Sequence, residues 1–443
     1  MATTYLTRTI GTPTLNTKYT ISFWIKKASV GDIFVIDGRD DASNRFKIAF
    51  GTTGTIECFN YHGGSPTIEF TTTRVFRDTS SFYHMLLAVD TTDATAGDRF
   101  KFYVNGVRET SFSSSTNPSL SDANNVINES GNTVTIGAYN SGSGNTYYFD
   151  GVLSHFYFID GTAYAPTVFG ETDSTTGQWK INTSPSITMG TNGFTILKDG
   201  NTITDQSSNS NDFTLGGGTL SNTEDCPSDV FCTLNPLYNQ TTGQGVSLTK
   251  GNTRCEYTPN SSRSAFGTIA PSSGKYYFEC KPYNNTTMVV GIVNMAWSNI
   301  NGASGYAYHD DALNFGYDLN GNKTSGGSSS SFGSALNNND IVQVAMDLDN
   351  SKLYFGINGT WQSSGDPTSG STGTGSAYNL ASGANYTAAC RMRNGTDLDF
   401  NFGNGSFRGT AISSEGTNAS GIGVFEYDVP TGYTALSTKG LNL

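Results

Sequence analysis

HMLLAVD at residues 84–90, followed by FKFYVNG at residues 100–106, carries the clearest strand pattern of this chain. Apolar side chains at every second position are typical of a half-buried β-strand, because successive side chains of a strand point to opposite faces of its sheet. The pair Asn105-Gly106 supplies the two positive φ angles of a tight hairpin turn. The stretch therefore predicts antiparallel strands joined by short turns.

The same pattern occurs in the second half, where VQVAMD at residues 342–347 is followed by KLYFGING at residues 352–359. Further short segments rich in aromatic and β-branched residues surround both copies, such as YTISFWIK at residues 19–26 and KYYFEC at residues 275–280. Strands at this spacing, with no helical period between them, indicate β-sandwiches. We predict an all-β chain with two antiparallel, jelly-roll-like β-sandwich domains in tandem.

The chain has 443 residues, which is long for one ordinary domain. Its 52 glycines and 14% charged residues are compatible with disorder, but 27 Phe and 23 Tyr exclude that interpretation, because disordered chains are poor in aromatic residues. We predict a first sandwich at residues 1–181, a connector with some β structure at residues 182–250 and a second sandwich at residues 251–443. The Gly/Ser-rich segment 324–333 is expected to be an exposed loop.

The formal net charge of −12 argues against a nucleic-acid partner, because that function needs clustered Lys and Arg. No apolar run approaches the ~20 residues needed to span a bilayer, so we expect no membrane insertion. The first residues have no basic stretch followed by an apolar stretch, as a signal peptide would. We therefore expect synthesis in a cytoplasm.

The six cysteines are irregularly spaced and include no Cys-x-x-Cys pair, which argues against a zinc site. Cytoplasmic synthesis favours free, mostly buried thiols. Cys226 and Cys232 are close enough in sequence to form a disulfide if the protein is later oxidised.

The first half resembles the concanavalin-A-like, laminin-G-type jelly-roll family over about residues 1–180. The resemblance depends on the order of YTISFWIKK (19–27), HMLLAVD (84–90) with FYVNG (102–106), and FDGVLSHFYFIDG (149–161). The second half resembles a SPRY-type domain over about residues 251–430. Here the motifs are GKYYFEC (274–280), VGI (290–292), DIVQVAMDLDNSKLYFGINGTW (340–361) and NFG (401–403).

This pairing, with NDFT at residues 211–214 and CTLNPL at residues 232–237 between the halves, is similar to virion structural proteins of tailed bacteriophages. The resemblance implies a protein on the virion surface, as a tail or head fibre, an adhesin or a decoration. It also implies other virion proteins as partners and a homo-oligomer, for which we expect a trimer.

Enzymatic chemistry is not expected. Glucan-cleaving relatives of the jelly roll carry paired carboxylates on one strand face, at an E-x-D-x-x-E or E-x-D-x-E spacing, and neither occurs here. The sequence also lacks a Gly-x-Ser-x-Gly elbow between a strand and a helix and the Lys-Ser/Thr ending of a phosphate-binding loop. His155 is interpreted as an ordinary strand residue.

Calcium is the one cofactor for which the sequence offers ligands, and many jelly-roll lectins use it. Asp37, Asp40 and Asp41 provide clustered oxygens of the kind that calcium accepts. A second cluster at residues 318–322 is more simply an Asn-Gly hairpin turn.

Ligand binding is the remaining function, because rigid sandwiches present variable loop residues at the ends of their sheets. Aromatic rings beside polar loop residues can stack on sugars. The alternative is that the same rings fill the sandwich cores. The candidates are Tyr61, His62, Tyr139, Tyr147, Tyr148, Trp297, Tyr306, Tyr308 and His309.

The sequence thus predicts a phage virion surface protein, a fibre or adhesin, that binds host-surface glycans or receptors. One alternative is a purely structural head or tail decoration without a ligand. Another is a polysaccharide depolymerase, against which the missing carboxylate pair argues.

Overall fold

The computed structural model describes residues 3–198, 200, 202–238, 245–284, 286–297 and 310–442. The chain divides into two compact units, Met1–Leu220 and Ser221–Leu443. Each unit is built from packed antiparallel sheets, which confirms the predicted all-β class with two sandwiches in tandem. Within the described residues, no helix is both long and apolar enough to cross a bilayer.

The strands of the first unit are β1 (Tyr5–Thr9), β2 (Lys18–Lys27), β3 (Ile33–Arg39), β4 (Arg45–Phe50), β5 (Thr55–His62), β6 (Ser65–Val75), β7 (Tyr83–Asp90), β8 (Phe100–Val104), β9 (Val107–Arg108), β10 (Phe112–Thr116), β11 (Thr133–Ile136), β12 (Tyr139–Asn140), β13 (Asn145–Thr146), β14 (Gly151–Asp160), β15 (Gly170–Thr172), β16 (Trp179–Ile181), β17 (Phe194–Ile196) and β18 (Thr214–Gly217). Short 3-10 helices lie at Ala96–Asp98, Val126–Asn128 and Pro166–Val168.

Two sheets enclose the core of the first unit. In the described residues, one sheet has the order β10-β6-β5-β4-β3-β11-β1-β18 and the other the order β17-β14-β2-β7-β8-β9. Apolar side chains that alternate along the strands meet between them, among them Phe23 on β2, Ile48 on β4 and Leu87 on β7. Burial of these side chains is the main source of stability, at about 25 cal/mol per Å² of apolar surface.

The outer face of the second of these sheets is also covered, by the hairpin of β15 and β16. The ring of His84 stacks between Trp24 at 4.9 Å and Trp179 at 5.9 Å, measured between ring centroids. The indole N–H of Trp179 donates to Nδ1 of His84 at 3.0 Å, and Nε2 of His84 lies 2.9 Å from the hydroxyl of Ser22. Burial lowers the pKa of His84 to about 3, so the ring is neutral near pH 7. Because Nδ1 accepts the bond from Trp179, the ring proton belongs on Nε2, which donates to Ser22.

The connector predicted at residues 182–250 does not form a separate structural element between the two units. Strand β17 pairs with β14, and β18 pairs with β1, so the chain up to Leu220 belongs to the first sandwich. The segments 194–197 and 213–215, which we expected could form strands, overlap β17 and β18. Because these strands are short, their alternation is too brief to mark them as parts of a large sheet.

The strands of the second unit are β19 (Ser247–Thr249), β20 (Arg254–Tyr257), β21 (Arg263–Phe266), β22 (Lys275–Asn284), β23 (Met288–Asn294), β24 (Phe315–Asp318), β25 (Asn322–Ser325), β26 (Ser328–Ser331), β27 (Val342–Asp347), β28 (Lys352–Ile357), β29 (Thr360–Trp361), β30 (Tyr378–Asn379), β31 (Tyr386–Met392), β32 (Thr396–Asn401), β33 (Ser406–Phe407), β34 (Thr410–Ala411) and β35 (Thr434–Ala435). Short 3-10 helices lie at Pro236–Tyr238, Gln362–Ser364, Pro367–Thr372 and Gly440–Asn442.

In the described residues of this unit, the larger sheet has the order β19-β20-β32-β22-β27-β28-β29, with β30 beside β28 and β35 beside β22. The other sheet has the order β21-β31-β23-β24-β25-β26. The segment 324–333 was predicted wrongly as a loop, because its serines pair in the hairpin of β25 and β26. Serine has little strand propensity, so the sequence did not indicate this hairpin.

Both Asn-Gly hairpins have the predicted backbone. The φ angles are 49° and 76° at Asn105-Gly106, and 48° and 82° at Asn358-Gly359. These values are those of a turn whose twist matches the flanking strands.

A buried carboxylate fastens the C-terminal segment to the larger sheet of the second unit. Oε1 of Glu279 accepts from the backbone N–H of Tyr427 at 2.9 Å, and Oε2 accepts from that of Glu426 at 3.0 Å. Tyr277 and Asn401 donate one further bond each. Burial nevertheless raises the pKa of Glu279 to about 7, because the cost of removing the charged form from water outweighs the hydrogen bonds that stabilise it.

Candidate ligand-binding face

The outer face of the sheet that contains β3, β4 and β5 carries aromatic and charged side chains. Along β4 and β5 these side chains alternate with core residues, so that Lys47 lies opposite Phe59 and Arg45 lies opposite Tyr61. Phe34 on β3 is half-buried and belongs to the same cluster of side chains. Directly opposed residues of an antiparallel pair point to the same face, which places these groups side by side.

Two tyrosines complete this surface. Tyr139 lies on strand β12, and Tyr147 directly follows strand β13. The ring centroid of Phe34 lies 4.9 Å from that of Tyr139 and 6.0 Å from that of Tyr147. The backbone N–H of Phe34 donates to the carbonyl of Tyr147 at 3.0 Å, which fixes the segment on β3. The side chain of Tyr147 is 52% exposed. We call the set Phe34, Arg45, Lys47, Phe59, Tyr61, Tyr139 and Tyr147 the aromatic face.

The cations of the aromatic face hold its rings in place. Cζ of Arg45 lies 4.3 Å from the ring centroid of Tyr139, whose hydroxyl accepts a hydrogen bond from Nη1 at 2.8 Å. The ammonium of Lys47 lies 4.7 Å from the Phe59 ring and 5.5 Å from the Phe34 ring. Such cation–π contacts orient the side chains before any ligand arrives.

Carboxylates compensate these cations. Nη2 of Arg45 lies 3.1 Å from Oδ1 of Asp37, and the ammonium of Lys47 lies 2.6 Å from Oε2 of Glu57. Burial raises the pKa of Asp37 to about 7, although Arg45 opposes this rise. Because both cations are paired with carboxylates, the surface presents aromatic ring faces and hydrogen-bonding groups with little net charge.

The structure brings together three of the predicted tyrosines. Arg45 lies opposite Tyr61 and contacts Tyr139, whose ring centroid lies 6.1 Å from that of Tyr147. Tyr148 is separate, because its ring packs 6.2 Å from that of Tyr5. His62 ends β5 and pairs with Ser65 across a Gly-Gly turn. Four members were missed by the sequence analysis, the rings of Phe34 and Phe59 and the cations of Arg45 and Lys47. Strict alternation within β5 could have identified Phe59.

Trp297 was predicted wrongly as a ligand-binding residue. Its side chain is 6% exposed and packs against Phe266, with 6.1 Å between ring centroids. Val289 and Val293 complete this satellite core. The other candidates of the second half, Tyr306, Tyr308 and His309, lie outside the described residues.

The three aspartates proposed as calcium ligands do not converge on one position. The carboxylate of Asp37 is buried against Arg45. Asp41 instead caps a turn, where Oδ1 accepts from the backbone N–H of Ser43 at 2.7 Å and of Asn44 at 2.9 Å. Asp40 contributes its backbone N–H to the same turn. Over the part of the chain that the structure describes, no three His, Cys, Asp or Glu side chains are grouped to hold a metal ion.

The alternative calcium cluster is a hairpin turn, as predicted. Oδ1 of Asp318 accepts from the backbone N–H of Asn320 and of Asn322, both at 2.9 Å. Gly321 has a φ of 85°, and the turn joins β24 to β25.

Comparisons with known proteins agree with the predicted resemblance of the first half. Residues 2–169 match the family described as the Concanavalin A-like lectin/glucanases superfamily. No curated protein matches the chain.

Several solved structures are similar in part. The SPRY domain of human HERC1 has 12% identity and a TM-score of 0.30, with 38% of this chain and 96% of that chain covered. A human SPRY domain has 16% identity and a TM-score of 0.27, with 35% and 93% covered. The heptameric SAP-like pentraxin from Limulus polyphemus has 13% identity and a TM-score of 0.30, with 45% and 90% covered. The family match at residues 2–169 therefore identifies the first unit as similar to lectin-like domains, which supports a ligand-binding role in general.

Proposed function

We propose that the chain is a surface protein of a bacteriophage virion, a fibre or adhesin, whose first unit binds glycans on the host cell through the aromatic face. The observation that carries this proposal is the grouping of five rings with Arg45 and Lys47 on one sheet face. The family match at residues 2–169 supports a lectin-like role for the unit that bears this face.

The chemistry of a sugar suits this surface. A pyranose ring presents an apolar face of C–H groups that packs on an aromatic ring, while its hydroxyl groups exchange hydrogen bonds with charged and phenolic tips. The exposed ring of Tyr147 is the most accessible stacking position of the set. Because Arg45 and Lys47 are already paired with carboxylates, a neutral glycan fits better than a strongly anionic one.

The proposed role is binding without catalysis. Virion partners, a homo-oligomeric state and a location on the particle surface belong to the same proposal. They are supported by the similarity of the tandem motifs to virion proteins of tailed phages.

A binding assay tests this proposal. The purified full chain is applied to an array of bacterial surface glycans and to whole host cells, beside the variants Tyr147→Ala and Val107→Ala. Val107 is the matched control, since it is 66% exposed and lies on β9 of the other sheet. Saturable binding that Tyr147→Ala weakens and Val107→Ala leaves intact is expected. Absence of binding by the folded protein would overturn the proposal in favour of a decoration without a ligand.

A further inference from the structure

Two cysteines of the second unit face each other across its core. Sγ of Cys255 on β20 lies 3.6 Å from Sγ of Cys390 on β31, and the two residues are 135 positions apart in sequence. Strand β20 belongs to the larger sheet and β31 to the opposing one. Both side chains are 0% exposed. The pair therefore bridges the two sheets inside the core, on strands next to the sheet edges.

The surroundings of Cys58, Cys226 and Cys232 distinguish these thiols from the pair, whereas Cys280 is buried in the same core. Cys58 is buried in the core of the first unit. The sulfur of Cys226 contacts the hydroxyl of Ser228 at 3.3 Å. The sulfur of Cys232 lies near Thr233 and Thr268. The pairing of Cys226 with Cys232, which the sequence spacing suggested, has less geometric support than the pair across the core.

We propose that Cys255 and Cys390 are a latent disulfide site that joins the two sheets of the second unit when the protein meets a disulfide oxidant such as oxidised glutathione. One cysteine thiolate attacks glutathione disulfide and releases a first glutathione thiol. The second cysteine then displaces the other glutathione from the mixed disulfide. The protein loses two protons and two electrons, and glutathione disulfide is reduced to two thiols.

The geometry needs only a small adjustment. A disulfide bond is about 2.05 Å long, so the two sulfurs must approach each other by roughly 1.5 Å. Burial raises the pKa of Cys255 well above its ordinary value, so the thiolate forms only when the sandwich opens transiently. A chain made in a reducing cytoplasm thus folds with free thiols and acquires the cross-link in oxidising surroundings.

The consequence is a more stable second unit. The bond closes a loop of 135 residues and so removes much of the freedom of the unfolded chain. The cross-link requires neither the aromatic face nor a ligand.

Peptide mapping of the full chain tests the inference. The protein is unfolded and refolded in buffers of oxidised or of reduced glutathione, alkylated, and digested without reductant for mass spectrometry. In the oxidised buffer we expect a pair of peptides joined by a disulfide between Cys255 and Cys390. The mass of this pair should be two hydrogen atoms below the summed mass of the two peptides with free thiols. We also expect a rise of the melting temperature, on the order of 10 °C, that a reductant reverses.

Variants separate this pair from the other cysteines. Cys390→Ala should abolish the linked peptide, while Cys58→Ala, at a buried thiol of the first unit, should retain it. Mapping of the unaltered chain is decisive even if a variant fails to fold. Recovery of both cysteines as alkylated thiols from the oxidised buffer would overturn the inference. A link from Cys390 to Cys280 instead of Cys255 would overturn it as well.

Discussion

Nη2 of Arg45 lies 3.1 Å from Oδ1 of Asp37, and the Asp37 side chain has 0% exposure, while that of Arg45 has 15%. The two residues lie on the adjacent strands β3 and β4, and the same guanidinium contacts the ring of Tyr139. A single buried ion pair thus positions part of the aromatic face.

Removal of one partner of the Arg45–Asp37 ion pair should lower the stability of the first unit. Above pH 7, where Asp37 of the unaltered chain is charged, Arg45→Ala leaves this carboxylate buried without its cation, and we expect the free energy of unfolding to fall by about 3 kcal/mol. Denaturant unfolding measures this loss. Lys18→Ala is the control, because the ion pair of Lys18 with Asp90 is 32% and 27% exposed, and we expect its loss to stay below about 1 kcal/mol. Equal effects of the two variants would contradict the buried-pair interpretation.

Glu279 should make the second unit more stable at mildly acidic pH. Its pKa is raised from 4.5 in the unfolded chain to about 7 in the fold, so between these values the folded state binds more protons than the unfolded state. Its contribution to stability is therefore present below pH 4.5 and declines as the pH rises towards 7.

The variant Glu279→Gln isolates this effect. Between pH 7.5 and pH 5, the unaltered chain should gain about 2 kcal/mol of unfolding free energy relative to the variant. Glu256→Gln is the control, because the side chain of Glu256 is 46% exposed. Parallel pH profiles of the unaltered chain and Glu279→Gln would show that Glu279 does not titrate in this range.

Trp179 should stabilise the first unit through its hydrogen bond to His84. Trp179→Phe keeps an aromatic ring but leaves Nδ1 of His84 buried without a donor, which we expect to cost about 1–3 kcal/mol of unfolding free energy. Nitrogen NMR of the unaltered protein should show the His84 proton on Nε2. A proton on Nδ1, or a loss in the variant below about 0.5 kcal/mol, would contradict this arrangement.

Much of the fold could be predicted from the sequence because its signals are local. The Asn-Gly turns and the alternation around them identify one hairpin in each unit. The aromatic face could be predicted only in part, because it joins β3 and β5 to a segment about 100 residues later in the chain. The pattern within one strand does not indicate which outward-facing side chains remain accessible to solvent in the folded chain. Trp24 lies on the outer face of its sheet yet is buried against His84, whereas Phe34 stays partly accessible.

Metal removal should leave the protein unchanged. Since Asp37 is engaged by Arg45 and Asp41 by its own turn, we expect EDTA to shift neither the melting temperature nor ligand binding. Differential scanning calorimetry with and without added calcium measures the first quantity. A calcium-dependent rise of several degrees would restore the aspartate cluster as a metal site.

The most direct test of the central claim is the affinity of the full chain for host cells, compared between the unaltered protein, Tyr147→Ala and Val107→Ala. Loss of the exposed Tyr147 ring should weaken binding about tenfold, which corresponds to about 1.4 kcal/mol, while Val107→Ala should change it less than about twofold. Equal binding by all three proteins would contradict the assignment of the aromatic face as the ligand-binding surface.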